Sequence, residues 1–176
     1  MKLYLRLLWL FLTYRWNPAC LALGPCRTSF RVLPTDLDLL GHVNNGVYLT
    51  LMDVARMDLL LRSGLVSQLK PQGWYPVIVG SSMRFRRSLK LWQSFDIHTE
   101  VIGWDKKCIF LAQRFIRADE VVAEGVVVSR FLGPDRYKVP TADLLAAIGY
   151  TGSDPELPRW VTDWYQAQQV SSNEWK

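Results

Sequence analysis

The run DLDLLGHVNNGVY at residues 36–48 decides the fold, because a polar loop passes there directly into an apolar helix. Asn44 or Asn45 can cap this helix, which we predict over about residues 47–62, and Gly64 follows as a C-terminal stop. Apolar side chains cover most of its circumference. A helix this apolar is buried, so the rest of the chain must cover it.

Strand patterns flank the helix. Apolar and polar residues alternate with a period of two, which is typical of strands. One strand is predicted before the loop and four after the helix, over about 26–33, 76–85, 95–101, 109–116 and 121–131. Because no helix-length segment separates the last four, we expect antiparallel neighbours. The sequence predicts an α+β domain in which an antiparallel sheet wraps around one long central helix.

The length of 176 residues suits a single domain with appended ends. We expect a basic N-terminal segment over 1–26, the sheet-and-helix domain over 27–135, and a helical C-terminal extension packed on it over 136–176. The extension carries two short helical patterns, at 142–148 and 158–168.

The net charge of +5 lies entirely in the first part of the chain. Residues 1–34 contain five basic side chains and no acid, and the remaining 142 residues carry 16 of each sign. A nucleic-acid partner is therefore not expected, since the body offers no broad basic face. With 49% hydrophobic residues, the composition also excludes a disordered chain.

Residues 1–16 are mostly apolar, but the uncharged run between Arg6 and Arg15 has only eight residues. A membrane-spanning helix needs about 20. Three interpretations stay open: an interfacial helix on an anionic membrane, packing on the protein or across a dimer, and a cleaved secretory signal. We expect a cytoplasmic protein, peripheral to the inner face of a membrane if the first interpretation holds.

The cysteines Cys20, Cys26 and Cys108 show no paired spacing, so we predict free thiols and neither a disulfide framework nor a CxxC zinc site. With only His42 and His98 in the chain, a histidine-based metal site is not expected either.

Chemistry concentrates in the loop before the helix, where Asp36, Asp38 and His42 precede the two asparagines. The helix start supplies backbone N–H groups and a positive dipole end, both suited to a carbonyl oxygen that gains negative charge. A nearby carboxylate can activate water or attack directly. The alternative is a network of turns and helix capping without catalysis.

The run 36–48, followed by DVAR at 53–56, resembles the hydroxybenzoyl-CoA thioesterase superfamily, whose motif is D-x-D-x-x-G-x-x-x-N/Y-x-x-Y. LPTDLD at 33–38, RRSL at 86–89 and GWD at 103–105 are similar to the group called thioesterase superfamily member six. The resemblance covers about residues 27–132. It implies the hotdog fold, a homodimer or dimer of dimers, and active sites at the dimer interface.

The resemblance also implies roles for single residues. Asp38 matches the catalytic carboxylate, a general base or nucleophile, and the backbone N–H of Asn45, with that of Gly46, matches the donors that polarise the thioester carbonyl. His42 matches a histidine proposed to act in plant acyl-carrier-protein thioesterases. Those enzymes place an asparagine where this chain has Leu40, and this departure favours Asp38 acting with backbone donors alone.

Substrate contacts are expected from four further residues. Tyr48 matches the tyrosine of the motif, and Ser88 falls near a hydroxyl position that orders water in some members. Arg86 and Arg87 belong to a basic run that suits the phosphates of coenzyme A, or else forms a solvated strand edge. No cofactor is expected beyond the coenzyme A of the substrate.

Two functions remain open. The first is hydrolysis of acyl-CoA or acyl-carrier-protein thioesters. The alternative is a non-catalytic hotdog protein that binds acyl thioesters or associates with a membrane. The acyl chain preference is not encoded in the motif.

Overall fold

The structure of the protein is a computed structural model that describes residues 2–174, with the side chains of residues 3–169. Its helices and strands, numbered in chain order, are α1 Lys2–Thr13, β1 Cys26–Arg31, α2 Asn45–Arg62, α3 Leu65–Leu69, β2 Tyr75–Phe85, β3 Ser94–Trp104, β4 Ile109–Arg117, β5 Glu120–Leu132, α4 Thr141–Ala147 and α5 Arg159–Glu174.

The five strands form one antiparallel sheet in the order β1-β3-β4-β5-β2. One face of the sheet curls around α2, and the main core lies between them, where Leu51, Met52 and Ala55 of the helix pack with Ile97 and Phe115 of the sheet. The predicted α+β architecture, a sheet around one central helix, is confirmed.

Helix α2 begins two residues earlier than predicted because Asn44 caps it, its side-chain oxygen accepting a hydrogen bond from Gly46 N at 2.9 Å. The helix is tied to β1 by Asp58, which is 1% exposed. Its carboxylate accepts from the Thr28 hydroxyl at 2.6 Å and from the Arg62 guanidinium at 2.8 Å. Gly64 follows with a φ of +77°, the left-handed conformation that a glycine adopts without strain.

The prediction of three free thiols is wrong for two of them. Cys20 and Cys26 form a disulfide with their Cα atoms 5.6 Å apart. A turn between them, closed by a hydrogen bond from Gly24 N to the Leu21 carbonyl, reverses the chain and brings the two cysteines together. A six-residue spacing does not reveal that turn. Cys108 is free and buried.

Helix α1 has two different faces. On the inner face Leu10 is 5% exposed, and Arg6 reaches the carboxylate of Asp36. The outer face, continued by the turn Tyr14–Trp16, carries large apolar side chains that are 50–81% exposed: Tyr4, Leu5, Leu8, Trp9, Phe11, Leu12 and Trp16. Within residues 2–174, no helix has the length and apolarity needed to cross a membrane.

The C-terminal helices cover surfaces that the sheet leaves open. Leu144 of α4 joins a second core cluster with Leu59 of α2 and Phe131 of β5. Helix α5 lies on the outer face of the sheet, where Val161 and Tyr165 pack with Phe110.

Candidate active site

Asp38 lies at the tip of the loop before α2, where its exposed carboxylate is fixed by main-chain groups. Its Oδ1 accepts hydrogen bonds from Leu40 N at 2.9 Å and His42 N at 3.2 Å, and its own N–H donates to the His42 carbonyl at 2.8 Å. Gly41, at a φ of +74°, makes this tight turn possible. Within the described chain Oδ2 accepts no hydrogen bond, so it is the oxygen that can face a reactant.

Asp36, two residues earlier, has a structural role. It is 2% exposed, its carboxylate accepts from Arg6 and from Leu33 N, and its carbonyl accepts from Asn44 N at 2.9 Å. Both side-chain bonds go to Oδ2, and together with the carbonyl bond they place the first turn of α2.

Two backbone N–H groups at the start of α2 were predicted as carbonyl donors, and only one of them is available. The side chain of Asn44 occupies the N–H of Gly46. The N–H of Asn45 has no acceptor among residues 2–174. Because this group lies at the positive end of the helix dipole, it is the donor that can bind a developing oxyanion.

The connection between β2 and β3 runs beside the loop and brings Ser88 to the site. Val43 N donates to the Leu89 carbonyl at 3.0 Å, and the main chains of His42 and Lys90 form an isolated antiparallel bridge. Ser88 is exposed. No hydrogen bond of its side chain or of the His42 imidazole is found within residues 3–169.

Tyr48 lies below the loop and is 2% exposed. Its ring packs against Phe85 at 5.0 Å and Phe115 at 5.1 Å between centroids, and burial raises the pKa of its hydroxyl. In the isolated chain this side chain supports the floor of the site and does not reach its surface.

Arg86 and Arg87 are exposed, but each is paired with an acid. Arg86 contacts Glu124 at 2.6 Å and Arg87 contacts Glu120 at 2.5 Å. The basic run therefore presents less free charge to phosphate groups than its sequence suggests. No group of three or more metal-binding side chains converges in the described part of the chain.

A fixed carboxylate in the loop that leads into α2, whose first N–H has no acceptor among the described residues, suits attack on an acyl carbonyl. Comparison with known proteins points to the same class. The model of the thioesterase-like superfamily matches residues 32–164. The chain belongs to the thioesterase-like superfamily.

Relatives and solved structures agree with this assignment. The chain is 35% identical to Protein THEM6 of Xenopus laevis, in a match that covers 81% of this chain and 68% of the relative. It is 29% identical to Protein THEM6 of Drosophila melanogaster, in a match that covers 78% of this chain and 70% of the relative. The probable thioesterase YbaW of Escherichia coli superposes with a TM-score of 0.66 at 22% identity, over 70% of this chain and 96% of that one. BH1999 gentisyl-coenzyme A thioesterase superposes with a TM-score of 0.62 at 24% identity, over 69% of this chain and 99% of that one. These structures confirm the predicted hotdog fold.

Sequence reasoning missed two features of the site. One is the ion pair that connects Arg6 of α1 to Asp36. The other is the difference between Asn45 and Gly46 as donors. The second had a signal in the sequence, because an N-cap asparagine bonds to the N–H of the second or third residue after it.

Proposed function

We propose that the protein hydrolyses acyl thioesters of coenzyme A or of acyl-carrier protein, with Asp38 as the catalytic carboxylate and the Asn45 N–H as the oxyanion donor. The observation that supports this most is that the Asp38 carboxylate is anchored through Oδ1, with no bond to Oδ2 in the described chain, on the loop that leads into α2, whose first N–H, that of Asn45, is unpaired among the described residues.

Hydrolysis then needs few groups. The thioester carbonyl oxygen accepts a hydrogen bond from Asn45 N–H while Asp38 Oδ2 removes a proton from water, and the water oxygen bonds to the acyl carbon. The tetrahedral intermediate collapses, the C–S bond breaks and a thiolate leaves. Because thiols have a pKa of about 8.5, the leaving group needs no strong acid. In the second route Asp38 attacks the acyl carbon itself, and water hydrolyses the resulting anhydride.

The other residues take supporting roles in this proposal. His42 fixes Asp38 through its main chain, Ser88 helps to order the attacking water, and Tyr48 shapes the floor of the site. Arg86 and Arg87 contact the phosphates of coenzyme A by exchanging their present carboxylate partners for phosphate oxygens.

The test compares Asp38→Asn with wild type in hydrolysis of an acyl-CoA panel, with released thiol as the signal. We expect kcat to fall by roughly 10²- to 10⁴-fold, the usual contribution of a general base. Asp119→Asn, in the exposed β4–β5 turn, is the matched control and keeps wild-type turnover. Equal turnover by Asp38→Asn would contradict the proposal, and retained acyl-CoA binding without turnover in wild type would favour the non-catalytic alternative. Incorporation of ¹⁸O into Asp38 during single turnover in ¹⁸O-water would establish the nucleophilic route, since a general base exchanges no oxygen and only attack of water on the aspartyl carbon of the anhydride does.

We also propose a homodimer that forms through β2. This strand is an edge of the sheet, and Tyr75, Ile78, Val79 and Phe85 on it are 44–50% exposed. An apolar edge with unpaired main-chain groups is suited to pairing with a second copy.

The outer face of α1 is proposed to lie in the interface of an anionic membrane. Its exposed aromatic residues suit the headgroup region, and the absence of acidic residues from 1–34 suits negatively charged lipid. The double variant Trp9→Ser/Trp16→Ser is expected to bind phosphatidylglycerol vesicles at least about tenfold more weakly, because two buried indoles contribute several kcal/mol. Trp160→Ser, exposed on α5, is the control. Unchanged binding by the double variant would contradict this placement.

A further inference from the structure

An apolar cavity of about 340 Å³ lies beside the C-terminal half of α2, away from the Asp38 loop. Of the 21 described residues that line it, 18 are apolar, and the other three are Asp53, Arg56 and Ser129. Leu3 and Leu7 of α1 form part of its wall. The cavity is thus closed on one side by a helix that precedes the family-matched region at 32–164.

The mouth of the cavity lies between α2 and β2. Three lining residues are exposed, Asp53 on α2 and Pro76 and Ile78 on β2, and the deeper walls, such as Leu59 and Leu69, are 1% and 3% exposed. Pro76 and Ile78 lie on the strand that the proposed dimer uses, so in the dimer a ligand enters from the α2 side of the mouth, at Asp53.

One face of α2 connects this mouth to the active site. Asn45, Leu49 and Asp53 are exposed and follow one another at intervals of four, and Met57 and Leu60 continue the face into the cavity. Asp53 follows Asn45 by eight residues, which is about 12 Å along a helix. A chain lying along this face therefore leads from the oxyanion donor to the cavity.

The walls select the chemistry of the ligand. An apolar cavity of about 150 Å³ is enough to bind benzene, and this one is more than twice as large. Hydroxyl or carboxyl groups carried into it would lose their hydration with few partners, since the Arg56 guanidinium already pairs with Asp53 and Gln113. A flexible hydrocarbon chain meets these conditions, whereas a hydroxylated aromatic acyl group does not.

We propose that this cavity binds the distal end of a long, straight aliphatic acyl chain whose thioester lies at the start of α2. The inference rests on the proposed thioester hydrolysis and names its substrate class. An extended chain advances roughly 1.2 Å per bond, one third of an extended residue, so about ten carbons are needed to reach Asp53. Dodecanoyl and longer groups enter the cavity, and hexanoyl does not reach it.

The experiment fills the cavity from α4. Leu145 lines the cavity and the adjacent Ala146 is exposed on the same helix, so Leu145→Trp and Ala146→Trp form a matched pair. Excluding three methylenes, each worth about fourfold in affinity, lowers kcat/KM for palmitoyl-CoA roughly 60-fold in Leu145→Trp. For hexanoyl-CoA, kcat/KM of Leu145→Trp stays within about twofold of wild type. Ala146→Trp keeps the wild-type dependence of kcat/KM on acyl chain length. Equal chain-length profiles for the two variants would overturn the proposal.

A binding measurement separates this inference from catalysis. Palmitate and hexanoate are titrated calorimetrically into the full wild-type chain and both tryptophan variants. The protein can fail to hydrolyse any thioester and still bind palmitate. If that binding is lost in Leu145→Trp and kept in Ala146→Trp, the cavity is supported as a binding site for alkyl chains. Palmitate that binds wild type no more tightly than hexanoate overturns it, even if hydrolysis is found. If circular dichroism shows that Leu145→Trp is unfolded, Ile148→Phe replaces it. The comparison of palmitate with hexanoate binding to wild type tests the cavity without any variant.

Discussion

Asp36 and Asp38 are two residues apart and have the same side chain, yet they lie in different surroundings. These surroundings suit Asp36 to a structural role and Asp38 to the proposed catalytic one. Asp36 is buried and its carboxylate is bonded to the Arg6 guanidinium and to Leu33 N, whereas Asp38 is exposed and its carboxylate is bonded only to main-chain N–H groups of its own turn. The motif contains both carboxylates, and the resemblance assigned catalysis to Asp38. Local spacing could not supply the partner of Asp36, because Arg6 lies 30 residues away.

Because Arg6 forms an ion pair with the buried Asp36, we expect Arg6→Ala to lower the stability of the protein strongly. Arg6 is 14% and Asp36 is 2% exposed, so Arg6→Ala leaves a buried carboxylate without its cation. We expect the free energy of unfolding to fall by about 3 kcal/mol, as for other broken buried pairs. Urea denaturation of the full chain measures this. Arg15→Ala, at the exposed end of the same segment, should change little, and equal stability of wild type and Arg6→Ala would contradict the prediction.

At the scale of helices and strands, the features set by local pattern were predictable. The end of α2 before Gly64 was predicted, its start was predicted within two residues, and the strands follow from alternation, because capping and pleating depend on near neighbours. The disulfide, the two faces of α1 and the cavity depend on which segments meet in space. No short window of sequence contains that information, and for this reason the pairing of Cys20 with Cys26 was missed.

Helix α5 is held on the sheet by a group that titrates. Burial and a 3.3 Å hydrogen bond with Cys108 raise the pKa of Tyr165 to about 12 from its usual 10. Ionisation of this hydroxyl is therefore disfavoured in the folded state. Its contribution to stability is complete below pH 10 and is lost as the pH rises towards 12.

Tyr165→Phe is expected to make the free energy of unfolding fall less steeply between pH 10 and 11.5, because the variant has no phenol to ionise there. Chemical denaturation at half-unit pH steps measures the slope. Tyr137→Phe, an exposed tyrosine outside this contact, is the control and follows wild type. Identical slopes for all three proteins would show that α5 is not coupled to this ionisation.

At the scale of the whole molecule, the exposed edge of β2 carries the dimer prediction. Val79 is 50% exposed and lies at the irregularity in register between Ile78 and Gly80. A lysine there places charge on the apolar edge, a device that native sheets use to prevent edge pairing. Light scattering after gel filtration should give a dimer for wild type and a monomer for Val79→Lys. Tyr137→Lys, exposed away from the edge, should stay dimeric, and a dimeric Val79→Lys would exclude β2 as the interface.

The strand order has a consequence for how the chain folds in time. Strands β3, β4 and β5 are joined by short turns, whereas Cys26 of β1 pairs with Thr99 and Tyr75 of β2 pairs with Leu132. Distant pairings close slowly because the intervening loop must first lose entropy. We therefore expect the three-strand meander to form first and both edges to join late. During synthesis α1 leaves the ribosome before β1 and Asp36, the partners on which it docks, and these partners are positioned late. Throughout that interval its apolar surface is open to lipid, to chaperones and to other nascent chains.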